Sequence, residues 1–292
     1  MIISTLTINI KRFIWFFRQL LVMLDETDKL NTAEIKIGLK TRIIGNEIVY
    51  FDKTESTNKT AKELAKKGAE EGTIVIAAEQ TKGRGRLDRK WVSAPDKNIL
   101  MSLLLRPELP PSKAFQLTMM TSVAVVKAIK KETGLNTLIK WPNDIYYNNK
   151  KLAGILTELN SDRKGIKYAI IGIGLNVNLD TDNYKDIKEI ATSLYKETGK
   201  IFLRNNLLRR ILIEIEKEYN LLKRNKIDKI RREWTKRSMV LGKSVTLSGD
   251  DYSEEGIAES INEDGSLILI KNDGERKTIV CGDISLRLKS TS

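Results

Sequence analysis

A basic segment with two glycines contains the side chains best suited to chemistry. Residues 83–91 are GRGRLDRKW and place four cations within seven positions, 84–90. The glycines leave the backbone free to bend, so the segment can fold over an anion and offer it backbone N–H groups and guanidinium forks. It has neither the GxxxxGK[ST] pattern of a P-loop nor the third glycine of a dinucleotide fingerprint. The alternative is a solvated basic turn.

A second cluster follows an apolar strand, in the sequence KWPND at 140–144. Lys140 ends the strand and a proline fixes the turn after it, which gives one positive charge a defined position. Asn143 and Asp144 add an amide and a carboxylate nearby. The alternative is a strand-to-turn junction with Trp141 in the core.

Three further segments combine glycine or small polar residues with a predicted element. Glycines interrupt the apolar runs KLAGILTE at 151–158 and IGIGLNVN at 171–178, which indicates close approach by a ligand or another backbone; tight sheet packing is the alternative. Ser56-Thr57-Asn58 begins a predicted helix. The two hydroxyls can cap that helix, or they can bind a polar ligand ring.

Composition restricts the chemistry that these segments can perform. The chain has no histidine and one cysteine, Cys281. This excludes Ser-His-Asp and Cys-His catalysis, histidine-ligated zinc, internal disulfides and iron–sulfur clusters. The single cysteine indicates a reducing compartment, so we expect a cytoplasmic protein. The formal charge of +13 favours anionic ligands.

The elements that must position these residues follow from periodicity. Apolar or β-branched runs predict buried strands, and apolar residues at helical spacing in 200–237 predict one long basic helix. Short strands about ten residues apart follow residue 238, a pattern typical of a small barrel. The main predicted elements are a helix ending at Lys67, strands 73–78, 99–105, 138–141, 154–159 and 168–177, and a helix 112–133.

The N-terminal residues differ from the rest of the chain. Residues 13–24 are apolar but too short for a membrane span and lack a cleavage signal, so we expect a packed helix without membrane contact. A short helix, 32–39, follows, and no strand pair precedes residue 41. The predicted division is a helical extension at 1–40, a catalytic domain at 41–237 and a small domain at 238–292.

In this order, the four motifs closely resemble the biotin–protein ligase family over about residues 40–290. The resemblance implies an α+β catalytic domain with a central mixed sheet and flanking helices, similar to class II aminoacyl-tRNA synthetases and lipoate ligases, and an SH3-like C-terminal barrel. It implies formation of biotinyl-5′-AMP from biotin and ATP, with Mg²⁺ expected on the phosphates. Biotin is then transferred to one lysine of a biotin carboxyl carrier domain.

The resemblance also implies a set of site residues. The expected biotin contacts are Ser56, Thr57, Asn58, Gln80, Arg84, Gly85, Arg86, Lys140 and Gly154. The expected ATP contacts are Arg86, Arg89, Trp91, Asn143 and Asn176. Lys140, Arg84 and Arg86 are the expected catalytic residues, and Asp144 is a weak candidate for accepting the proton of the attacking lysine.

Two departures from the family pattern are visible. Asp88 stands where the family commonly has glycine, which bears on how tightly the basic loop closes. The first 40 residues lack a helix–turn–helix pattern, so we expect no sequence-specific nucleic-acid partner; a homodimer is left open. Two alternatives remain: a ligase for another acid, such as lipoate, on the same fold, and a DNA-binding regulator, suggested by the net charge.

Overall fold

The computed structural model describes residues 28–86, 89–248, 253–280 and 285–288. Its helices are α1 (Thr32–Lys36), α2 (Thr57–Lys66), α3 (Phe115–Thr133), α4 (Leu194–Thr198), α5 (Arg204–Lys223) and α6 (Ile227–Lys236). Its first seven strands are β1 (Ile48–Thr54), β2 (Ile74–Gln80), β3 (Asn98–Leu105), β4 (Leu138–Lys140), β5 (Asp144–Tyr147), β6 (Lys150–Asp162) and β7 (Gly165–Asn176). Five more follow: β8 (Ser244–Ser248), β9 (Ser253–Ile261), β10 (Leu267–Lys271), β11 (Arg276–Ile279) and β12 (Ser285–Leu288).

The first seven strands form one mixed sheet in the order β1-β2-β3-β7-β6-β5-β4. Strands β1 and β2 are parallel, and the other neighbours are antiparallel. All eight residues of β3 are buried, because it lies at the middle of the sheet under helices. Side chains alternate between the two faces of a strand, so each strand can serve the core with one face and a site with the other.

Helices cover the sheet on both faces. Helix α3 is apolar around most of its circumference and ends at Gly134, whose φ of 80° closes it in the left-handed conformation. The apolar stripe of α5 packs on α3 in the main core. On the other face, α2 contributes Ala61 and Ala65 to a smaller cluster with Val75, Leu104 and Ile170.

A buried ion pair fixes the described part of the N-terminal segment to the start of α5. The Arg204 side chain is fully buried, and its Nε donates to Asp28 Oδ2 at 2.8 Å. Its Nη2 donates to the Asp28 carbonyl at 2.6 Å and to Asp96 Oδ1 at 3.1 Å. Burial raises the pKa of Asp28, and the positive charge of Arg204 counteracts that rise. Residues 28–30 are thereby held beside the sheet.

The last five strands form a separate antiparallel sheet in the order β11-β10-β9-β8-β12. Trp141, which precedes β5, donates its indole N–H to the Gly265 carbonyl at 3.0 Å. Gln116 on α3 donates to the Glu263 carbonyl at 2.8 Å. The small sheet therefore packs against the start of α3 and the KWPND turn.

The predicted fold class, an α+β domain with a mixed sheet followed by a small β-domain, is confirmed. Several details differ. The helix predicted at 32–39 is α1, which ends at Lys36, and α4 was not predicted. Strands β1 and β5 were not predicted, and the long basic helix is two helices, α5 and α6, separated at Asn225, which has a φ of 54°. The helix predicted from residue 112 begins as a 3-10 turn, Pro111–Lys113, and becomes α-helical at Phe115.

Several predictions lie outside the described residues: the helix at 13–24, Cys281 and the effect of Asp88 on the loop. The domain limits stay predictions. Among the helices that the structure describes, none is both long and apolar enough to cross a membrane.

Candidate active site

A cavity of about 300 Å³ opens on the face of the large sheet that also carries the start of α2. Its walls come from the α2 start, the end of β2, the basic loop at 81–92 and strands β5 to β7. The structure brings all thirteen site residues that we predicted from sequence to this cavity. They are Ser56, Thr57, Asn58, Gln80, Arg84, Gly85, Arg86, Arg89, Trp91, Lys140, Asn143, Gly154 and Asn176.

The charge of the cavity is strongly positive. Its described lining includes six cationic side chains and one carboxylate, that of Asp144. The cations are Arg84, Arg86, Arg89, Lys90, Lys140 and Lys151. Such an excess suits a ligand with several negative charges, because clefts of one sign focus the electrostatic field.

The basic loop folds back on itself at the mouth of the cavity. The Gly85 N–H donates to the Arg89 carbonyl at 2.7 Å, and the Trp91 N–H donates to the Gly83 carbonyl at 2.9 Å. Arg84 and Arg89 are exposed, whereas Arg86 is half-buried. The Arg86 guanidinium lies 3.5 Å from Asn143 Oδ1, so the loop reaches the KWPND turn.

One end of the cavity is lined by neutral hydrogen-bonding groups. The Thr57 N–H donates to Gln80 Oε1 at 2.7 Å, and Thr57 Oγ1 lies 3.0 Å from the same oxygen. Ser56 stands at the N-cap position of α2 and is buried, yet its side chain makes no capping hydrogen bond. Capping, the alternative function of this hydroxyl, is therefore absent, and Gln80 satisfies the first N–H of the helix.

Asn58 follows Thr57 in α2, and its side chain contacts Glu158, Leu156 and Ser102, none of which we predicted as site residues. Its Nδ2 donates to Glu158 Oε2 at 2.7 Å and lies 3.3 Å from the Leu156 carbonyl. Its Oδ1 lies 2.6 Å from the hydroxyl oxygen of Ser102, which is fully buried on β3. Glu158 closes the KLAGILTE motif, so its position was visible in the sequence, but its partner was not.

The glycines of β6 and β7 make room for side chains. A Cβ on Gly174 would lie 2.5 Å from Cε2 of Trp91, and one on Gly172 would lie 2.3 Å from Oδ1 of Asn58. A Cβ on Gly154, the cross-strand partner of Gly174, would lie 3.2 Å from Cζ3 of Trp91. The close approach that these glycines predicted is thus made by the Trp91 ring and an amide, within this chain.

Two lysines approach the cavity in different environments. The Lys140 Nζ lies 4.9 Å from the centre of the Tyr146 ring and 3.4 Å from its hydroxyl. Burial, and then the charge of Asp144, raises the pKa of Tyr146 to about 12. Lys151, which we did not predict, pairs with Asp144 Oδ1 at 2.7 Å and lies 5.7 Å from the Trp91 ring centre.

One buried amide group in the cavity wall, that of Asn176, is incompletely hydrogen-bonded. Asn176 donates Nδ2 to the Thr192 carbonyl at 2.9 Å, and its buried Oδ1 has no hydrogen-bond partner in the described part of the chain. Asn98, its register partner across β3 and β7, is fully buried outside the lining of the cavity. Buried polar groups are normally satisfied, so the Asn176 oxygen is suited to a polar ligand.

The donor set does not include a resident metal centre. Among the described residues there is no group of three or more Cys, Asp or Glu side chains placed to bind a cation. The cavity offers one carboxylate and the unpartnered Asn176 oxygen. Mg²⁺ commonly takes one or two protein oxygens together with substrate phosphates, so these residues fit a cation that arrives with a nucleotide.

Comparison with known proteins places this geometry in a family. A model of the biotin/lipoate A/B protein ligase family matches residues 50–176, and a model of the biotin protein ligase C-terminal domain matches residues 240–287. The bifunctional ligase/repressor BirA of Bacillus subtilis is 41% identical over 268 residues, which cover 90% of this chain and 81% of that protein.

This chain matches two further proteins over almost their whole length. The biotin–[acetyl-CoA-carboxylase] ligase of Mycobacterium tuberculosis is 31% identical over 277 residues, covering 89% of this chain and 98% of that protein. The structure of biotin protein ligase from Aquifex aeolicus in complex with biotin and ATP is 31% identical, with a TM-score of 0.74. That similarity covers 84% of this chain and 100% of the Aquifex chain.

Proposed function

The chain belongs to the biotin protein ligase family, and from this premise we propose how its cavity activates biotin with ATP and passes it to a carrier lysine. The observation that carries the assignment is the division of one cavity into two chemical environments. Neutral hydrogen-bonding groups around Thr57 and Gln80 line one end, and six cations with a single carboxylate line the rest. Biotin has the same division, a neutral ureido ring and a carboxylate.

The neutral end would hold the ureido ring. That ring carries two N–H donors and one carbonyl acceptor, which need a few well-placed partners. Ser56, Thr57 and Gln80 supply hydroxyl and amide groups at the required place. The valeryl chain would then run along Gly154 toward the cations. The dithiolane ring of lipoate has no N–H group, so it would leave these partners unsatisfied at a cost.

The cationic end would bring two anions together. In the first step, a biotin carboxylate oxygen attacks the α-phosphorus of ATP, the bond to the β-phosphate oxygen breaks, and pyrophosphate leaves. Positive charge must offset the repulsion and stabilise the charge of the transition state. We assign Lys140 to the carboxylate and α-phosphate, with Arg84 and Arg86 on the adenylate and Arg89 near pyrophosphate. Lys151 is close enough to Asp144 and Trp91 to join this group.

The cavity wall formed by Asn143 and the ring of Trp91 would border the nucleotide base. An amide side chain can bind the polar edge of a purine. Mg²⁺ would neutralise phosphate charge when it is bound with ATP. The Asn176 oxygen is the described group best placed to lie near it.

The second step requires no enzyme nucleophile. The neutral amine of the carrier lysine attacks the acyl carbon of biotinyl-5′-AMP, the mixed anhydride bond breaks, AMP leaves, and the amine loses a proton. Asp144 is the carboxylate within the described lining, and its pairing with Lys151 means that water competes with it for this proton. The basic loop would keep bulk water away from the anhydride.

Biotin-dependent exchange of labelled pyrophosphate into ATP tests the assignment directly. We expect exchange with biotin and far less with lipoate or octanoate, because only biotin satisfies the polar end. Equal exchange with lipoate would instead support the related ligase activity on this fold. A second assay, transfer of labelled biotin to a purified carrier domain, tests the other half-reaction.

The proposal extends to the protein partner and the cellular location. Relatives named as acetyl-CoA-carboxylase ligases support a carboxylase carrier domain as the protein partner. The single cysteine supports a cytoplasmic location. We expect no sequence-specific nucleic-acid partner. Light scattering would distinguish a monomer from a homodimer.

A further inference from the structure

A series of polar side chains, half-buried at Glu158 and buried at its other members, lies behind the neutral end of the cavity. It begins at Glu158 on β6, passes through Asn58 and Ser102, and ends at Thr57, which lines the cavity. Ser102 is fully buried, and Thr57 and Asn58 are 3% and 5% exposed. Buried groups of this kind form hydrogen bonds with one another rather than with water. Which atom donates the proton in each hydrogen bond therefore follows from which side-chain atoms can donate and which can only accept.

The carboxylate end sets the direction of the first two hydrogen bonds. A carboxylate only accepts, so Asn58 must present its amide nitrogen to Glu158, at 2.7 Å. Its amide oxygen then faces the Ser102 hydroxyl, at 2.6 Å. A carbonyl oxygen does not donate, so Ser102 must use its one proton in this contact. The absence of a side chain at Gly172 leaves the space that this amide oxygen occupies.

The direction continues to the cavity wall. Ser102 Oγ lies 2.8 Å from Thr57 Oγ1, and with its proton already used it can only accept there. The other neighbour of Thr57 Oγ1 is Gln80 Oε1, at 3.0 Å, which also only accepts. In either contact the single Thr57 proton points into the protein. The hydroxyl of Thr57 therefore presents lone pairs alone to the cavity.

We propose that Glu158 is a positioning residue that holds the Thr57 hydroxyl as an acceptor and so selects a ring that donates an N–H at that point. This inference rests on the proposed function, in which the ring is the ureido ring of biotin. Without the carboxylate, only the Leu156 carbonyl, at 3.3 Å, still orients the Asn58 amide, which can then turn over and donate to Ser102. Ser102 would then donate to Thr57, and the Thr57 proton, no longer accepted by Ser102, would be shared between Gln80 Oε1 and the cavity.

The test compares Glu158→Leu and Glu158→Gln in biotin-dependent ATP–pyrophosphate exchange. Glu158→Leu removes the acceptor, and we expect the KM for biotin to rise about tenfold, the effect of one hydrogen bond, while the KM for ATP and kcat change little. Glu158→Gln should restore a biotin KM near that of the wild type, because its Oε1 still accepts from Asn58.

Selectivity provides a readout that a general loss of structure would not change. The probes are biotin analogues in which a ring oxygen replaces one or the other ureido N–H. Wild-type protein should discriminate strongly against at least one of them, since two acceptors would face each other. In Glu158→Leu the preference for biotin over that analogue should fall about tenfold.

A carboxylate outside the series provides the matched control. Glu79 lies on β2 next to Gln80 and pairs with Lys53 at 3.0 Å, so Glu79→Gln should behave as wild type. If Glu158→Leu does not fold, Ser102→Ala interrupts the same series and should raise the biotin KM in the same way.

The outcomes separate the two proposals. A folded Glu158→Leu variant with unchanged biotin KM and unchanged selectivity would overturn the inference, as would equal increases in the KM values for biotin and ATP. Wild-type protein without biotin-dependent exchange would instead overturn the proposed function, and the inference with it.

Discussion

The contact between Gly174 and Trp91 allows a graded test of how the cavity floor supports the basic loop. In Gly174→Ala, the new Cβ would lie 2.5 Å from Cε2 and 2.6 Å from Cζ2 of the Trp91 ring. Carbon atoms in contact normally stand about 3.5–4.0 Å apart, so the ring must move by about 1 Å. The backbone of β7 is held by its neighbours on both sides, which makes the ring the part that moves.

The displacement should reach the cations. The backbone N–H of Trp91 is bonded to the Gly83 carbonyl at 2.9 Å, so the part of the shift that reaches the Trp91 backbone also moves the base of the loop. A misplacement of about 1 Å at a reacting centre costs on the order of 10²-fold in rate, and we expect a loss of that size in kcat/KM for exchange. Overpacking should lower the free energy of unfolding by about 1–3 kcal/mol.

Gly154→Ala is the matched control, because Gly154 pairs with Gly174 across β6 and β7. Its Cβ would meet Lys151 Cε and Trp91 Cζ3 at 3.2 Å each, and the lysine is flexible enough to move. We expect a much smaller loss of exchange than in Gly174→Ala. Thermal unfolding of both variants checks that each is folded. Equal losses in the two variants, or wild-type activity in Gly174→Ala, would refute the reasoning.

Four further predictions follow from the assigned contacts. In Lys140→Ala, adenylate formation in single turnover should slow by on the order of 10²-fold while ATP binding changes less, because its charge matters most where the two anions meet; a near-normal rate would contradict this role. Arg86→Ala, incubated with biotin and ATP but no acceptor, should release more free biotinyl-AMP than wild type, since alanine has no guanidinium to hold the phosphate. Arg204→Met should lower the free energy of unfolding in urea by about 3–5 kcal/mol, because it leaves the Asp28 charge buried and unpaired, and adding Asp28→Asn should recover part of the loss. At physiological salt the chain should bind a biotin-operon promoter fragment no better than random DNA of equal length, because the two helices predicted from sequence in residues 1–40 are too few for a recognition helix, a supporting helix and a wing; a preference strengthened by biotinyl-AMP would contradict this.

The predicted site residues were identifiable because each belongs to a compact motif. Arg84, Arg86 and Trp91 lie within nine positions, although the composition of that loop alone is equally consistent with a solvated basic turn. Lys140 and Asn143 are fixed by a proline between them. The order of the motifs along the chain indicated the family, and the sheet then brings their thirteen residues to one cavity.

The supporting residues left no comparable local signal. Glu158 and Asn58 are 100 positions apart, and Ser102 and Asn58 are 44 positions apart. A lone serine in the apolar run of β3 is indistinguishable from a small core residue until the strand is seen beside α2. Strands β1 and β5 were missed for a different reason: β1 is an edge strand with two exposed residues, and β5 has only four residues.

The charge of the cavity explains how a chain without histidine can serve both half-reactions. In the first, six cations against one carboxylate offset the repulsion between the biotin carboxylate and the triphosphate. Pyrophosphate then leaves, and the bound adenylate neutralises less of the positive field than ATP did. A lysine that enters this field is favoured in its neutral form, because like charges nearby disfavour protonation. Since the neutral amine is the nucleophile, the same cations that assemble the anhydride also prepare the group that consumes it.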